Sequence, residues 1–304
     1  MIESNRCTLI SDPTDDDVKK FQQGLETYNL KRTDGEFNSP QPWHNLVLKD
    51  NEGTVIGGIS TSTLYWTQYL EVLWVDEKYR RLGYGKDLVL EAQRLAKEIG
   101  CISSHVYTFS WQAPDFYQAV GYDLIVTYDG YQGGIKEHIL MTRFDAFEER
   151  PNRIEDPARF TITSNPSDED LKTVRAGLGR NFDDHVAGVM KEYPHTDYSS
   201  VIKNEVGDVI GGIGGYTILG ILHIAELWVD ERYRGLGYGK DLLTHTETDA
   251  KEKGCIAAQI ACFSFQNLEF LNSQGYQVLG LSDAYPKGVR EYYLTKKFRI
   301  QPSC

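Results

Sequence analysis

The chain has 304 residues, of which 40% are hydrophobic and 25% are charged, which is typical of a globular protein with two domains of ordinary size. The formal net charge of −12 argues against nucleic acid as a partner, because phosphate binding needs a basic face. An acidic surface keeps a cytosolic protein soluble, and it also attracts cationic substrates such as amines.

Cysteine content and hydropathy predict the compartment. The five cysteines are odd in number and form no Cys-x-x-Cys pair, so we expect reduced thiols, without a disulfide framework or a metal site. The N-terminus lacks the pattern of a signal peptide, and no apolar run is long enough to span a bilayer. We therefore expect a cytoplasmic protein with no membrane partner.

Strands and helices alternate along the first half of the chain. Helical spacing begins at Asp15, with Thr14 or Asp15 as the N-cap after Pro13. Predicted helices cover residues 15–30, 87–99 and 113–120, and predicted strands cover residues 45–49, 55–63, 69–76, 105–108, 122–127 and 138–143. This order predicts an α+β fold in which one mixed sheet carries helices on its faces.

The second half of the chain repeats the first. Residues 73–88 read LWVDEKYRRLGYGKDL, and residues 227–242 read LWVDERYRGLGYGKDL. The offset between Gly83 and Gly237 is 154 residues, and it also pairs many flanking residues. Near the start of each repeat the offset is 153 residues. A repeat of this length is a whole domain and not a solenoid unit.

The joint between the repeats is predicted in a charged segment with two prolines, residues 145–157. We therefore predict an N-terminal domain over residues 1–148, a linker over residues 149–157 and a C-terminal domain over residues 158–304. The repeat leaves two assemblies open, a monomer with an internal pseudo-dimer and a homodimer.

A glycine-rich loop joins a strand to a helix in each repeat. In the first repeat it reads Arg80-Arg81-Leu82-Gly83-Tyr84-Gly85-Lys86. Two glycines one residue apart allow backbone N–H groups to converge, and the helix N-terminus adds partial positive charge, so the loop can hold a pyrophosphate. A tight strand-to-helix turn is the simpler alternative, but two near-identical copies favour the cradle. The loop lacks the Walker pattern and the third glycine of a dinucleotide fingerprint.

The loop and a later segment carry a family resemblance. Arg-x-x-Gly-x-Gly after a strand that ends in Trp-Val-Asp resembles the acetyl-CoA-binding motif of the GNAT superfamily of N-acetyltransferases. Residues 109–122, FSWQAPDFYQAVGY, resemble the second CoA motif of that family, and residues 285–294 resemble the end of such a domain. The resemblance covers nearly all of both halves and implies two tandem GNAT-like domains, each with a splayed mixed sheet and flanking helices.

The resemblance also implies a mechanism. Acetyl-CoA, the expected co-substrate, would lie in a split between the third and fourth main strands, and a primary amine would attack its thioester directly. Backbone N–H near Val75 would stabilise the oxyanion, and a tyrosine would protonate the leaving thiolate. The expected cofactor-binding residues are Val75, Arg80, Arg81, Gly83, Tyr84, Gly85 and Lys86 in the first repeat and Val229, Arg234, Gly235, Gly237, Tyr238, Gly239 and Lys240 in the second.

The two repeats differ at the position of the acid. Tyr117 matches the tyrosine of the family, whereas Leu271 stands at the equivalent position and cannot donate a proton. A buried aromatic side chain on a short helix is the alternative role for Tyr117. We expect the first repeat to be catalytic and the second to retain only the cradle.

The two repeats also differ at the position of the candidate catalytic base. Glu71, on a predicted strand face with Tyr69, is the expected base or else a surface carboxylate, and its counterpart is Ala225. In the second repeat Glu226 has moved to the opposite face, and His223 is either a base or a packed histidine. The expected activity is acetyl transfer to a primary amine of a small molecule or a peptide. The alternative is a non-catalytic protein that binds or senses acyl-CoA.

Overall fold

The computed structural model describes residues 7–144 and 160–298. The predicted linker therefore lies outside the described residues, and the division at residues 149–157 stays a prediction. The helices of the first repeat are α1 (Asp15–Arg32), α2 (Tyr84–Glu98) and α3 (Pro114–Ala119). Its strands are β1 (Thr8–Ile10), β2 (His44–Asp50), β3 (Val55–Leu64), β4 (Thr67–Val75), β5 (Ser103–Phe109), β6 (Asp123–Tyr128) and β7 (Glu137–Arg143).

The second repeat has the same elements in the same order. Its helices are α4 (Asp168–Glu192), α5 (Tyr238–Glu252) and α6 (Leu268–Ser273). Its strands are β8 (Phe160–Thr163), β9 (Thr196–Lys203), β10 (Val209–Ile218), β11 (Ile221–Val229), β12 (Ala257–Phe263), β13 (Gln277–Ser282) and β14 (Glu291–Lys297).

Local sequence signals set the ends of the helices. The Thr14 hydroxyl accepts the N–H of Asp17, and the Asp17 carboxylate accepts the N–H of Thr14, so a capping box begins α1 as its sequence suggests. Helix α2 begins at Tyr84, three residues earlier than predicted. The cause is Gly83, whose φ of 97° turns the chain directly from loop to helix.

The strands form two seven-stranded mixed sheets, with strand orders β8-β2-β3-β4-β5-β7-β6 and β1-β9-β10-β11-β12-β14-β13. In each sheet one central pair is parallel, β4 with β5 and β11 with β12, and the other pairs are antiparallel. Helices pack on both sheets, so the predicted α+β class with two mixed sheets is confirmed. No helix within the described residues has the length and apolar character needed to cross a membrane.

Each repeat gives its first strand and first helix to the sheet of the other repeat. Strand β1 pairs with β9, and strand β8 pairs with β2. Helix α1 packs on β10 and β11, whereas α4 packs on β3 and β4. Equivalent ion pairs hold both exchanged helices at their first turns, between Lys203 and Asp17 at 2.8 Å and between Lys49 and Asp170 at 2.7 Å. The sequence does not predict this exchange.

A glycine facing a tryptophan allows each exchanged helix to lie close to its sheet. A Cβ on Gly177 of α4 would lie 2.2 Å from Trp74 Cε2, and one on Gly24 of α1 would lie 2.4 Å from Trp228 Cζ2. Real Cβ atoms do not come this close to ring carbons, because interiors are already close-packed. These contacts therefore require glycine at both positions.

The two sheets also meet at a polar contact between the repeats. The hydroxyl of Tyr285 lies 2.8 Å from that of Tyr69, and the equivalent Tyr131 hydroxyl lies 3.1 Å from His223 Nε2. Nearby, His105 Nε2 lies 2.9 Å from the hydroxyl of Ser282. Together with the exchanged elements, these contacts join the described parts of both repeats into one interlocked body.

Candidate active site

Both sheets split open at their parallel central pair. Strands β4 and β5 pair over only four residues each, residues 67–70 with residues 103–106, and then diverge. Strands β11 and β12 do the same, with residues 221–224 paired to residues 257–260. The splayed sheet that the resemblance implied is therefore confirmed. Backbone groups on the diverging edges have no strand partner there and face a cleft.

The first cleft has a volume of about 860 Å³. Its walls are formed by the free ends of β4 and β5, the glycine-rich loop, the start of α2 and helix α3. Helix α4 of the second repeat closes one side with Leu178, Asn181 and His185. The second cleft, of about 460 Å³, has the same walls and is closed by Leu25 and Tyr28 of α1. Each cleft is therefore composite.

The glycine-rich loops adopt the geometry that an anion cradle needs. Gly83 and Gly237 have φ of 97° and 96° and lead directly into α2 and α5, so the helix N-termini face the clefts. A residue two positions earlier also has positive φ, 64° at Arg81 and 78° at Gly235. Arginine is strained in this region, whereas glycine is not. The first cradle therefore gains a charge at a cost in backbone strain.

The first arginine of each loop is fixed to the end of the preceding strand. Arg80 Nε donates to the carbonyl oxygen of Val75 at 3.0 Å, and Arg234 Nε donates to that of Val229 at 2.8 Å. The guanidinium is thus held at the mouth of the split, where strand and loop meet. In the second cleft it also lies 4.3 Å from the centre of the Tyr28 ring.

Most of the predicted cradle residues line their cleft. The cleft-lining members are Val75, Arg80, Arg81, Gly83, Gly85 and Lys86 in the first repeat and Val229, Arg234, Gly235, Gly237, Tyr238, Gly239 and Lys240 in the second. Tyr84 does not line the first cleft, because its ring packs on Phe160 of β8 with centroids 4.7 Å apart. This contact arises from the strand exchange.

Tyr117 is in the wall of the first cleft. It lies on α3, is 8% exposed and meets the rings of Phe116 and Tyr122 edge-on. Burial raises the pKa of the Tyr117 phenol above its ordinary value, so the group stays protonated across the physiological range. A protonated hydroxyl beside the cleft can donate to a departing anion. Leu271, in the equivalent wall of the second cleft, cannot.

Glu71 also lines the first cleft, but strand β4 does not alternate regularly around it. It is the extra residue of a β-bulge, since Val72 pairs with Ser60 whereas Leu70 pairs with Thr61. The bulge interrupts the two-residue period only after Glu71, and Ser62, the cross-strand partner of Tyr69, also contacts Glu71, so these two side chains share a face as predicted. The Glu71 carboxylate accepts a hydrogen bond from the Ser62 hydroxyl at 2.6 Å.

The other two base candidates have structural partners. His223 does not line the second cleft; it is hydrogen-bonded to Tyr131, and burial lowers its pKa to about 4. Glu226 does line that cleft, where it accepts a hydrogen bond from Gln22 of α1 at 2.9 Å. His223 is therefore a packed neutral histidine between the repeats, which was one of the two roles considered.

Sequence reasoning missed the residues that α1 and α4 bring to the clefts. Leu178, Asn181 and His185 are spaced by three and four positions, which places them on one face of α4. That spacing is visible in the sequence. The identity of the cleft they face is not visible, because it depends on the exchange of elements between repeats.

Comparison with known proteins agrees with this geometry. The acetyltransferase (GNAT) family profile matches residues 10–122 and, separately, residues 170–276. A blasticidin-S acetyltransferase from Streptomyces morookaense is 39% identical over 113 residues, 37% of this chain and 83% of that protein. The acetyltransferase Atu2258 from Agrobacterium fabrum is 30% identical over 102 residues, 34% of this chain and 74% of that protein.

A solved acetyltransferase from Bacillus cereus ATCC 14579 is also similar, at 33% identity, covering 45% of this chain and 96% of that one with a TM-score of 0.41. The two profile matches span more than half of the chain. The chain therefore belongs to the GNAT acetyltransferase family, with one family domain in each repeat, and it is an enzyme of the acetyltransferase class.

Proposed function

We propose that the protein transfers an acetyl group from acetyl-CoA to a primary amine of a small molecule or peptide, and that turnover takes place in the first cleft. The observation that carries the proposal is the combination, in that cleft, of a split sheet, a cationic glycine-rich loop and Tyr117 in the wall. The GNAT family uses acetyl-CoA, and the residues present fit its pyrophosphate.

The glycine-rich loop of the first repeat fits the pyrophosphate of acetyl-CoA. Convergent N–H groups at the N-terminus of α2, with Arg80, Arg81 and Lys86, complement a pyrophosphate charge. The pantetheine arm would then follow the split between β4 and β5 toward Tyr117. Free backbone N–H on β4, near Val75, is suited to hold the oxyanion of a tetrahedral intermediate. Tyr117 would protonate the departing thiolate, as sequence reasoning expected.

Charge supports an amine as the acceptor. The chain carries a net charge of −12, and Glu71 adds a carboxylate to the wall of the first cleft. An acidic approach and a carboxylate in the cleft attract an ammonium group before it is deprotonated for attack. Glu71 remains the base candidate that the sequence identifies.

The second cleft supports a different role. It keeps the cradle but presents Leu271 and Ala225 where the first cleft has Tyr117 and Glu71. We propose that this cleft binds acetyl-CoA without turning it over.

An amine panel tests the proposed function. Blasticidin S, a polyamine and a lysine-containing peptide are each incubated with acetyl-CoA, while thiol release and the mass of the product are followed. The proposal expects a 1:1 match of released thiol and acetylated amine for at least one acceptor. Tyr117→Phe should lower kcat by roughly 10²–10⁴-fold, whereas Leu271→Phe should leave it unchanged. Calorimetry that finds no binding of acetyl-CoA would refute the proposal outright.

A further inference from the structure

One face of α4 is directed into the first cleft. Leu178, Asn181 and His185 contribute to the wall of this cleft, although they belong to the second repeat. Leucine and asparagine can shape and orient a ligand. His185 is the only one of the three with a side chain that can act as a general base.

The contacts of His185 fix its orientation and its tautomer. Nδ1 lies 2.7 Å from the backbone carbonyl oxygen of Asn181, and a carbonyl oxygen can only accept, so Nδ1 carries a hydrogen. In the neutral ring the lone pair is then on Nε2. The ring is stacked on Trp111, with centroids 4.8 Å apart and planes 14° apart. Trp111, which follows β5, packs in turn on Phe182 of α4.

We propose that His185 is the general base of the first cleft, supplied to it by the opposite repeat. The inference rests on the proposed function. The bound ammonium group first gives one proton to Nε2 of His185, which passes it to solvent. The freed nitrogen lone pair then attacks the thioester carbonyl carbon, and a second proton of that nitrogen passes to Nε2. The carbon–sulfur bond breaks, and the thiolate takes the proton of Tyr117. Solvent then removes the proton from His185 and restores the proton of Tyr117, so the balance closes without another reactant.

This assignment gives Glu71 a separate role. Its carboxylate lies in the wall and accepts a hydrogen bond from the Ser62 hydroxyl, which suits it to bind the ammonium form of the acceptor. Binding by Glu71 and deprotonation by His185 are therefore successive steps performed by different residues of the cleft. Loss of Glu71 should act mainly on KM, and loss of His185 mainly on kcat.

The second repeat offers a matched control. Arg32 of α1 occupies the position equivalent to His185, at the offset of 153 residues that holds near the start of each repeat. A guanidinium cannot accept a proton, and Arg32 does not line the second cleft. Arg32→Ala therefore changes the equivalent helix position without altering any residue of the proposed catalytic site.

The test compares His185→Ala, Glu71→Gln and Arg32→Ala in the full chain, with acetyl-CoA and the panel amine that the wild type acetylates fastest. We expect His185→Ala to lower kcat by roughly 10²–10⁴-fold, with unchanged acetyl-CoA affinity by calorimetry, and exogenous imidazole to restore part of the rate. Glu71→Gln should raise KM, and Arg32→Ala should behave as wild type.

Two results overturn the assignment and are distinguishable from failure of the proposed function. If the wild type and the His185→Ala variant are both fully active, His185 is not the general base, whereas the proposed function stands. If the His185→Ala variant has a raised KM but keeps its kcat at saturating acceptor, and imidazole does not restore its rate at low acceptor concentration, His185 only binds the acceptor. If the wild type acetylates none of the panel amines, the proposed function fails, and the assignment fails with it.

Discussion

The contact between Gly177 and Trp74 provides a stringent test of the exchanged helices. Gly177 is buried in α4, and an added Cβ would lie 2.2 Å from Trp74 Cε2. Gly179, two residues further along the same helix, has no atom within 4 Å of an added Cβ. Alanine at either position gains the same helix propensity, so the pair isolates the helix–sheet contact from that gain.

The expected energies have opposite signs. Alanine is favoured over glycine inside a helix by about 0.8–1.0 kcal/mol, so Gly179→Ala should stabilise the protein by about that amount. At Gly177 the same gain is offset by overpacking against Trp74, which costs about 1–3 kcal/mol. The two variants should therefore differ in free energy of unfolding by about 1–3 kcal/mol, with Gly177→Ala the less stable.

Urea unfolding of both variants, followed by circular dichroism, measures the difference. Because Trp74 borders the first cleft, Gly177→Ala should also lower the rate of acetyl transfer, whereas Gly179→Ala should not. If Gly177→Ala is as stable as Gly179→Ala, helix α4 does not lie against β4, and the account of a composite first cleft is wrong.

Three further predictions follow from the same structure. Burial raises the pKa of Glu137 to about 7, so the folded state holds a proton that the unfolded state releases near 4.5, and stability from this group falls as pH rises between those values. Glu137→Gln should remove that loss, about 3 kcal/mol, as seen in unfolding midpoints across pH; unchanged midpoints would contradict it. Arg81→Gly, which copies Gly235, should raise thermal stability by up to about 1 kcal/mol and weaken acetyl-CoA binding in calorimetry; unchanged affinity would show that the Arg81 charge is not part of the cradle. A chain that ends at residue 144 loses β8 and α4, so circular dichroism should show no cooperative unfolding, and a cooperative fragment that binds acetyl-CoA would refute the interlocked fold.

Much of the fold could be predicted because the signals are local. Thr14 and Asp17 form a capping box, and Gly83 turns the chain into α2; both act within a few residues of their own position. Repetition of the loop around Gly237 doubles the evidence for each assignment. The α+β class and the two splayed sheets follow from such local patterns and from the family resemblance.

The exchange of β1, α1, β8 and α4 could not be predicted in this way. Each element has the same sequence pattern whichever sheet it joins, and the sheets are near copies of each other, so the sequence alone does not choose between them. For the same reason His185 was missed, although its spacing from Leu178 could be read.

The alternation predicted along β4 breaks after Glu71 for a different reason. Alternation along a strand holds only while the pairing is regular, and the bulge at this residue shifts the register of β4 by one. A bulge at Ala225 in the second repeat lies at the equivalent place, between the partners Glu226 and Ile224. The feature thus belongs to the fold, and a single sequence carries no clear sign of it.

The central claim is that acetyl transfer takes place in the first cleft and not in the second. Gly83→Glu and Gly237→Glu test it directly, because both residues have nearly identical φ and no atom within 4 Å of an added Cβ, so the backbone cost is matched. Each variant places a negative charge in one pyrophosphate cradle. We predict that acetyl-CoA binds at two equivalents in the wild type and at one in each variant, and that only Gly83→Glu abolishes product formation. Loss of turnover in Gly237→Glu, with full activity in Gly83→Glu, would contradict the account and assign catalysis to the second cleft.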